Sequence, residues 1–408
     1  MAVLGAVSAR AAVPFPDSTW IQLGPLPDKL DSPLFALAVD PNNAAILLAG
    51  TQAGSIYRSA DFGLTWKPVH RDLGRGVLTL AHNPYKRGVV MAGTRGGGAW
   101  KSADGGQTFT AVAGPPALSV RAFGFAKSLT AAATDRGVVI GGDTAPWAVV
   151  GLEKLRVSSL AVAAVNDPAR IVAGADSTSG GEPLPIYNSL DGARTWSLVA
   201  GALGGSSMVT SLTAGPLGPK GDIRTLLMGT NSGLFTSIDN GASWLALPGA
   251  GALPVTDFTA AAFATTHNDR FYVASDGGGS ERGGIWATAD SGQHFTSLNS
   301  PLPAVTALAV SNEEQPMLYT ATFRPADHAV MLWGFHDAGA PAQQPPTGVP
   351  PPAMAAAAGP AKVPAAASQH WLGVLLAGPE APYLAIGAAA IAVLLLAGVA
   401  YVRRGRGF

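Results

Sequence analysis

An eight-residue pattern recurs along this chain, and its spacing constrains the fold more than any other feature. The clearest copy is Ser59-Ala-Asp61-Phe-Gly63-Leu-Thr65-Trp66. Further copies run from Ser102 to Phe109, Ser189 to Trp196, Ser237 to Trp244 and Thr288 to Phe295, centred on Asp104, Asp191, Asp239 and Asp290. A degenerate copy emerges when residues 132–147 are aligned with 228–244 after one deletion, which puts Asp143 in the Asp place and Trp147 in the aromatic place. The closing aromatics then fall at 66, 109, 147, 196, 244 and 295, with Trp20 lying 46 residues before Trp66.

A period of roughly 40–50 residues is that of a four-stranded propeller blade. Each unit supports that count. In the first, the apolar runs 35–39, 45–50 and 55–58 are separated by Asp40-Pro-Asn-Asn43 and Thr51-Gln-Ala-Gly54, and the eight-residue box turns the chain into a fourth run at Trp66. Turn residues at regular intervals between Val/Leu/Ala-rich runs specify short antiparallel strands. The last unit has three such runs and then Asp337-x-Gly339, with no fourth. Trp20 to Leu23 is the segment left to complete it, which closes the ring with both chain ends and removes its open edges. The predicted fold is an all-β, seven-bladed propeller over residues 17–337. A six-bladed ring is the alternative if the degenerate unit is not a blade.

The box resembles the Asp-box, or BNR repeat, of sialidases, xyloglucanases, the sortilin ectodomain and photosystem II assembly-factor propellers. The resemblance covers about three quarters of the chain and implies the propeller fold. In physical terms the box is local: the carboxylate accepts hydrogen bonds from its own turn and the Gly permits a positive φ. Asp61, Asp104, Asp143, Asp191, Asp239 and Asp290 occupy equivalent places, so they read as structural and not as a catalytic pair.

In a four-stranded meander the first and third turns share one end of the blade. Any ligand site is therefore expected at the other end, where the second turns and inter-blade links lie. The candidates there are Arg95, Arg136, Asp176, Glu182, Asp276, Arg282 and Arg324, with Arg71 and Arg75 added by an inter-blade link. Four arginines in four turns suggest a site for carboxylate or phosphate groups; ordinary solvated loop charge is the competing reading.

Composition narrows the functions. Lys+Arg and Asp+Glu both number 26, which lacks the basic footprint of a nucleic-acid binder. With no cysteine there is neither a thiol nucleophile nor a thiolate metal site. The seven histidines show no metal-ligand spacing. No cofactor motif is present. A sialidase would be six-bladed and would need an arginine triad and a Tyr–Glu pair; Phe323-Arg324-Pro325 is the single echo of its Arg-Ile-Pro type motif. A xyloglucanase would need a cleft between two propellers. A photosystem II assembly factor fits the single propeller better and implies a membrane-protein partner at an arginine-rich face.

The C-terminus reads as membrane-bound. Residues 383–402 contain no charge over twenty positions and are followed by Arg403, Arg404 and Arg406. That length spans a bilayer as a helix, and the basic flank places the 403–408 tail in the cytoplasm. Residues 338–370 are rich in Pro and Ala and are expected to form a tether, and 371–402 is the hydrophobic segment. Residues 1–16 read as the remnant of an export signal, with a longer start upstream or a divergent signal as alternatives. The rival topology is a tail-anchored protein with its body in the cytoplasm. The combined expectation is a single-pass, extracytoplasmic propeller that binds a protein or glycan partner without catalysis. A sialidase-like glycoside hydrolase and a structural surface spacer are the alternatives.

Overall fold

A computed structural model describes residues 14–339, apart from 72, 74, 115–117, 142–145, 165–167, 177–183, 200–207, 218–223, 265–266 and 281. Asp143 and Glu182 are thus outside the described residues, as are the hydrophobic segment and the tether from residue 340 onward. Among the described residues no helix is long and apolar enough to cross a membrane.

Seven four-stranded antiparallel sheets follow one another along the chain. Blade 1 comprises Ala36–Asp40, Asn43–Gly50, Ile56–Ser59 and Lys67–His70. Blades 2 to 6 span residues 77–111, 120–151, 157–198, 209–246 and 260–297. Blade 7 contains Val305–Val310, Met317–Arg324 and Ala329–His336, and its outer strand is Trp20–Gln22 from the start of the chain. The degenerate unit at 120–151 is a full blade, so the count is seven.

The burial pattern explains why the second strands are apolar runs and not alternating ones. Blades stand side by side, so both faces of a middle strand are covered. Residues 44–50 of Asn43–Gly50 are accordingly buried or half-buried, and every residue of Phe271–Ser275 is buried. Close approach of neighbours also dictates glycine. A Cβ on Gly50 would lie 2.5 Å from Val77 Cγ1 of the next blade, and one on Gly174 would lie 2.5 Å from Val209 Cγ2. Five inner strands carry a bulge directly after their first valine, at Val77, Val120, Val157, Val209 and Val305. Such a bulge bends the strand and re-aims one side chain. In blade 7 that side chain is Thr306, whose Oγ1 donates to Leu34 O of blade 1 at 2.7 Å.

The ring therefore closes through side chains as well as strands. Tyr319 Oη of blade 7 donates to Ala44 O of blade 1 at 2.7 Å. On the other flank Trp20 Nε1 donates to Leu298 O of blade 6 at 2.8 Å. A buried cluster adds to this flank: Arg270 of blade 6 pairs with Asp337, and Tyr272 Oη donates to Asp337 Oδ2 at 2.5 Å. Burial pushes the Tyr272 phenol upward, and the Asp337 charge adds to the shift.

Candidate functional site

The boxes come first, because they determine which end of the ring is free for a ligand. In blade 1, Ser59 Oγ donates to Asp61 Oδ1 at 2.7 Å and accepts from Gly63 N at 2.8 Å. Thr65 then donates twice to Asp61, from its amide at 2.9 Å and its hydroxyl at 2.5 Å. The same four contacts recur around Asp104, Asp191 and Asp239. Around Asp290 a histidine replaces the last hydroxyl, with His294 Nδ1 at 2.7 Å from Asp290 Oδ2. Burial works against ionisation of Asp104, but the Thr108 hydroxyl and amide, Ser102 and Gln107 outweigh it and bring its pKa to about 2. These carboxylates have their acceptor capacity used within their own turns.

At the box end a side-chain bond joins two blades that are not adjacent. Tyr85 lies in the first turn of blade 2, and its Oη accepts from Arg224 Nη2 of blade 5 at 2.8 Å. Blades 2 and 5 are not neighbours, so this bond crosses the axis.

At the second-turn end the sheet geometry brings equivalent residues into a ring. In blades 2 to 5 the residue after the second strand donates its amide to the link ahead of the first strand. Examples are Arg95 to Gly76 O at 2.9 Å, Asp135 to Ser119 O at 3.2 Å, Asp176 to Arg156 O at 3.0 Å and Asn231 to Met208 O at 3.3 Å. The side chains at these places differ. Asp135 and Asn231 turn back and accept from Ser119 N at 3.0 Å and Met208 N at 3.2 Å. Asp176 lies 3.7 Å from Arg156. Arg95 donates to Gln52 Oε1 of the neighbouring blade at 3.2 Å. Arg324 forms a bidentate pair with Asp327 in its own turn, at 2.8 and 2.6 Å.

Blade 6 is the exception, because both equivalent places are acidic. Asp276 is hydrogen-bonded to Asp257, and its Oδ1 accepts from Gly278 N at 3.0 Å. Burial raises the Asp276 pKa; the Gly278 bond opposes this, and the bond to and charge of Asp257 add to it. Asp257 lies in an inter-blade link, outside the second turns that carry the sequence candidates. Aligning the links at Gly76, Ser119, Arg156, Met208 and Asp257 would have paired it with Asp276.

The outcome is a face with two poles. Arg75 and Arg95 on blade 2 and Arg136 on blade 3 are exposed and have no acidic partner among the described residues. The Asp257–Asp276 pair lies across the ring on blade 6. Arg282 is exposed on the blade 6 loop, and Arg324 is neutralised locally. The four turn arginines thus lie on blades 2, 3, 6 and 7, and Arg75, Arg95 and Arg136 on two adjacent blades form a basic sector.

No protein-family profile matches the chain, and no characterised protein matches it in sequence. Similarity emerges at the level of structure. The fold is similar to that of the GH74 xyloglucanase from Xanthomonas campestris, with a TM-score of 0.55 and 15% identity over 76% of this chain and 55% of that one. The chain thus spans about half the length of that enzyme. It is also similar to YCF48 in a structure with bound D1 peptide, with a TM-score of 0.54 and 14% identity over 78% of this chain and 97% of that one. At such identities the likeness is one of fold.

Proposed function

We propose that this protein is a non-catalytic binding scaffold that holds a protein or glycan partner on the second-turn face of its propeller. The observation that carries this reading is the basic sector. Three exposed arginines on adjacent blades have no carboxylate partner among the described residues, and their N–H groups suit carboxylate or phosphate groups. The acid pair opposite adds polarity to the face, and such a field orients an incoming partner. Peptide binding by YCF48, a propeller of this fold, supports a protein partner.

The hydrolase reading has weaker support: the chain spans about half the length of the GH74 enzyme, and the likeness to it is one of fold.

The reading extends to topology. Residues 338–370 form a tether, 383–402 cross the membrane as one helix, and 403–408 lie in the cytoplasm, with the propeller outside. Sequence composition supports this. A C-terminal reporter that is active only in the cytoplasm tests it; a silent reporter overturns it.

The binding reading is tested by cross-linking the full chain in its native membrane, with and without the triple change R75E/R95E/R136E. Loss of one cross-linked partner in the variant is the expected result. An unchanged pattern, or turnover of sialosides or β-glucans by the wild-type protein, overturns it.

A further inference from the structure

One hairpin breaks the symmetry of the ring. The third strand is four or five residues long in blades 1 to 6, but in blade 7 it is eight, Ala329–His336. Its outer partner covers only part of it. Trp20–Gln22 pairs with Trp333–Phe335, flanked by bonds from Ser18 N to His336 O and from Leu23 N to Leu332 O, each at 2.9 Å. Beyond that point the outer strand leaves, with Gly24 N turning to Gly63 O of blade 1.

The remaining edge has a readable register. Leu332 O and His336 O accept from Leu23 N and Ser18 N, so the even-numbered residues direct their N–H and C=O groups outward. Backbone groups alternate sides along a strand, so Val330 directs both of its groups outward too. No strand of the described chain receives them. Facing this edge is a cavity of about 420 Å³ between residues 22–30 and 327–332. That volume falls within the range of roughly 300–1,000 Å³ typical of ligand sites. Its walls include Leu26, Leu30 and Met331, with Lys29 exposed beside them. The far wall is pinned: Tyr57 Oη donates to Asp28, which also pairs with Arg71 at 3.4 Å. Burial and the Asp28 contact push the Tyr57 phenol up to about 12, so it remains a donor.

We infer that this wedge is a second binding site, which takes up an extended peptide strand of a partner protein. The strand continues Trp20–Gln22 along the same edge of blade 7. Backbone bonds to Val330 and to Leu332 N–H supply the pairing, as in strand addition generally. Alternate side chains of the peptide face the Leu26/Leu30/Met331 wall, and an acidic group faces Lys29, which has no carboxylate partner among the described residues. An open edge of this kind is otherwise a liability that folds cover or charge. The site is separate from the basic sector and does not rest on it.

The test pans a phage library of random dodecapeptides on the full chain in detergent micelles, then measures the enriched peptide by fluorescence polarisation. Val330→Pro removes one outward donor at an edge position where proline is tolerated. Leu26→Trp fills the wedge and leaves the edge intact. The expected result is an enriched pattern of alternating apolar residues with an acid, whose affinity falls about tenfold or more in V330P and in L26W. N-methylation of alternate peptide amides should abolish binding, and R95E/R136E should leave it unchanged. Failure to enrich any peptide, equal binding to L26W, equal binding of the N-methylated peptide, or loss of binding in R95E/R136E overturns the inference. L26W decides the matter should V330P not fold.

Discussion

Trp20 and Phe335, 315 positions apart in the chain, are direct cross-strand partners with ring centroids 4.8 Å apart. Trp20 also bonds Leu298 of blade 6, and Phe335 is 4% exposed within the cluster shared by blades 6 and 7. This pair joins the two ends of the ring, and its strength governs whether the ring opens. Phe335→Ala is expected to cost ~3–5 kcal/mol, since it removes a buried aromatic and leaves a cavity. A urea-denaturation series reads this as a lower midpoint. An unchanged midpoint would show that closure depends on other contacts.

The boxes predict an acid-sensitive stability. Asp104 has a folded pKa of about 2, and Asp61, Asp239 and Asp290 are also lowered. A depressed folded value means stability that is present above the unfolded value, near 3.9, and is lost as pH falls through the folded one. The denaturation midpoint should therefore drop between about pH 4 and pH 2. Asp239→Ala removes the acceptor for Ser237 and for both donors of Ser243, and should cost ~1–3 kcal/mol at neutral pH. That cost should shrink towards pH 2; a pH-independent cost would argue that packing and not the carboxylate holds the turn.

The acid pair predicts the opposite sign. The Asp276 pKa is raised, so its contribution is fully present below the unfolded carboxylate value and declines as pH rises through the folded one. Asp276→Asn keeps an acceptor for Gly278 N and gives Asp257 a donor. Blade 5 already carries Asn231 at this place. The variant should be more stable than wild type at pH 7 and equal to it near pH 3, as read by thermal unfolding. A less stable variant at pH 7 would mean that the ionised Asp276 makes a favourable contact.

The chain leaves the propeller at Asp337, beside a buried ion pair. Asp337 is 4% exposed and Arg270 8%. Breaking a buried pair by removing one partner strands the other charge, so Asp337→Ala should cost ~3–5 kcal/mol. The double variant R270L/D337L should lose less than this single change, because no charge is left unpaired. Equal or greater loss in the double variant would show that the pair is net stabilising.

Much of this protein was legible in the linear chain. A repeat reports its own period, so the blade count and the role of the box aspartates follow from local turn chemistry written in every copy. The missing strand of the last unit pointed to Trp20 for the same reason. The second-turn face was legible as a location but not as a set of contacts. Whether Arg324 meets Asp327, whether Asp276 meets Asp257, and whether Arg95 reaches Gln52 depend on backbone paths through loops that share no motif. The wedge beside Val330 was equally hidden, since an extra turn of pairing in one hairpin leaves no mark on the residue pattern. Turn chemistry acts over a few residues and can be read from the chain; the meeting of loops from separate blades is set by the curvature and closure of the ring, which exist only once all seven sheets have packed.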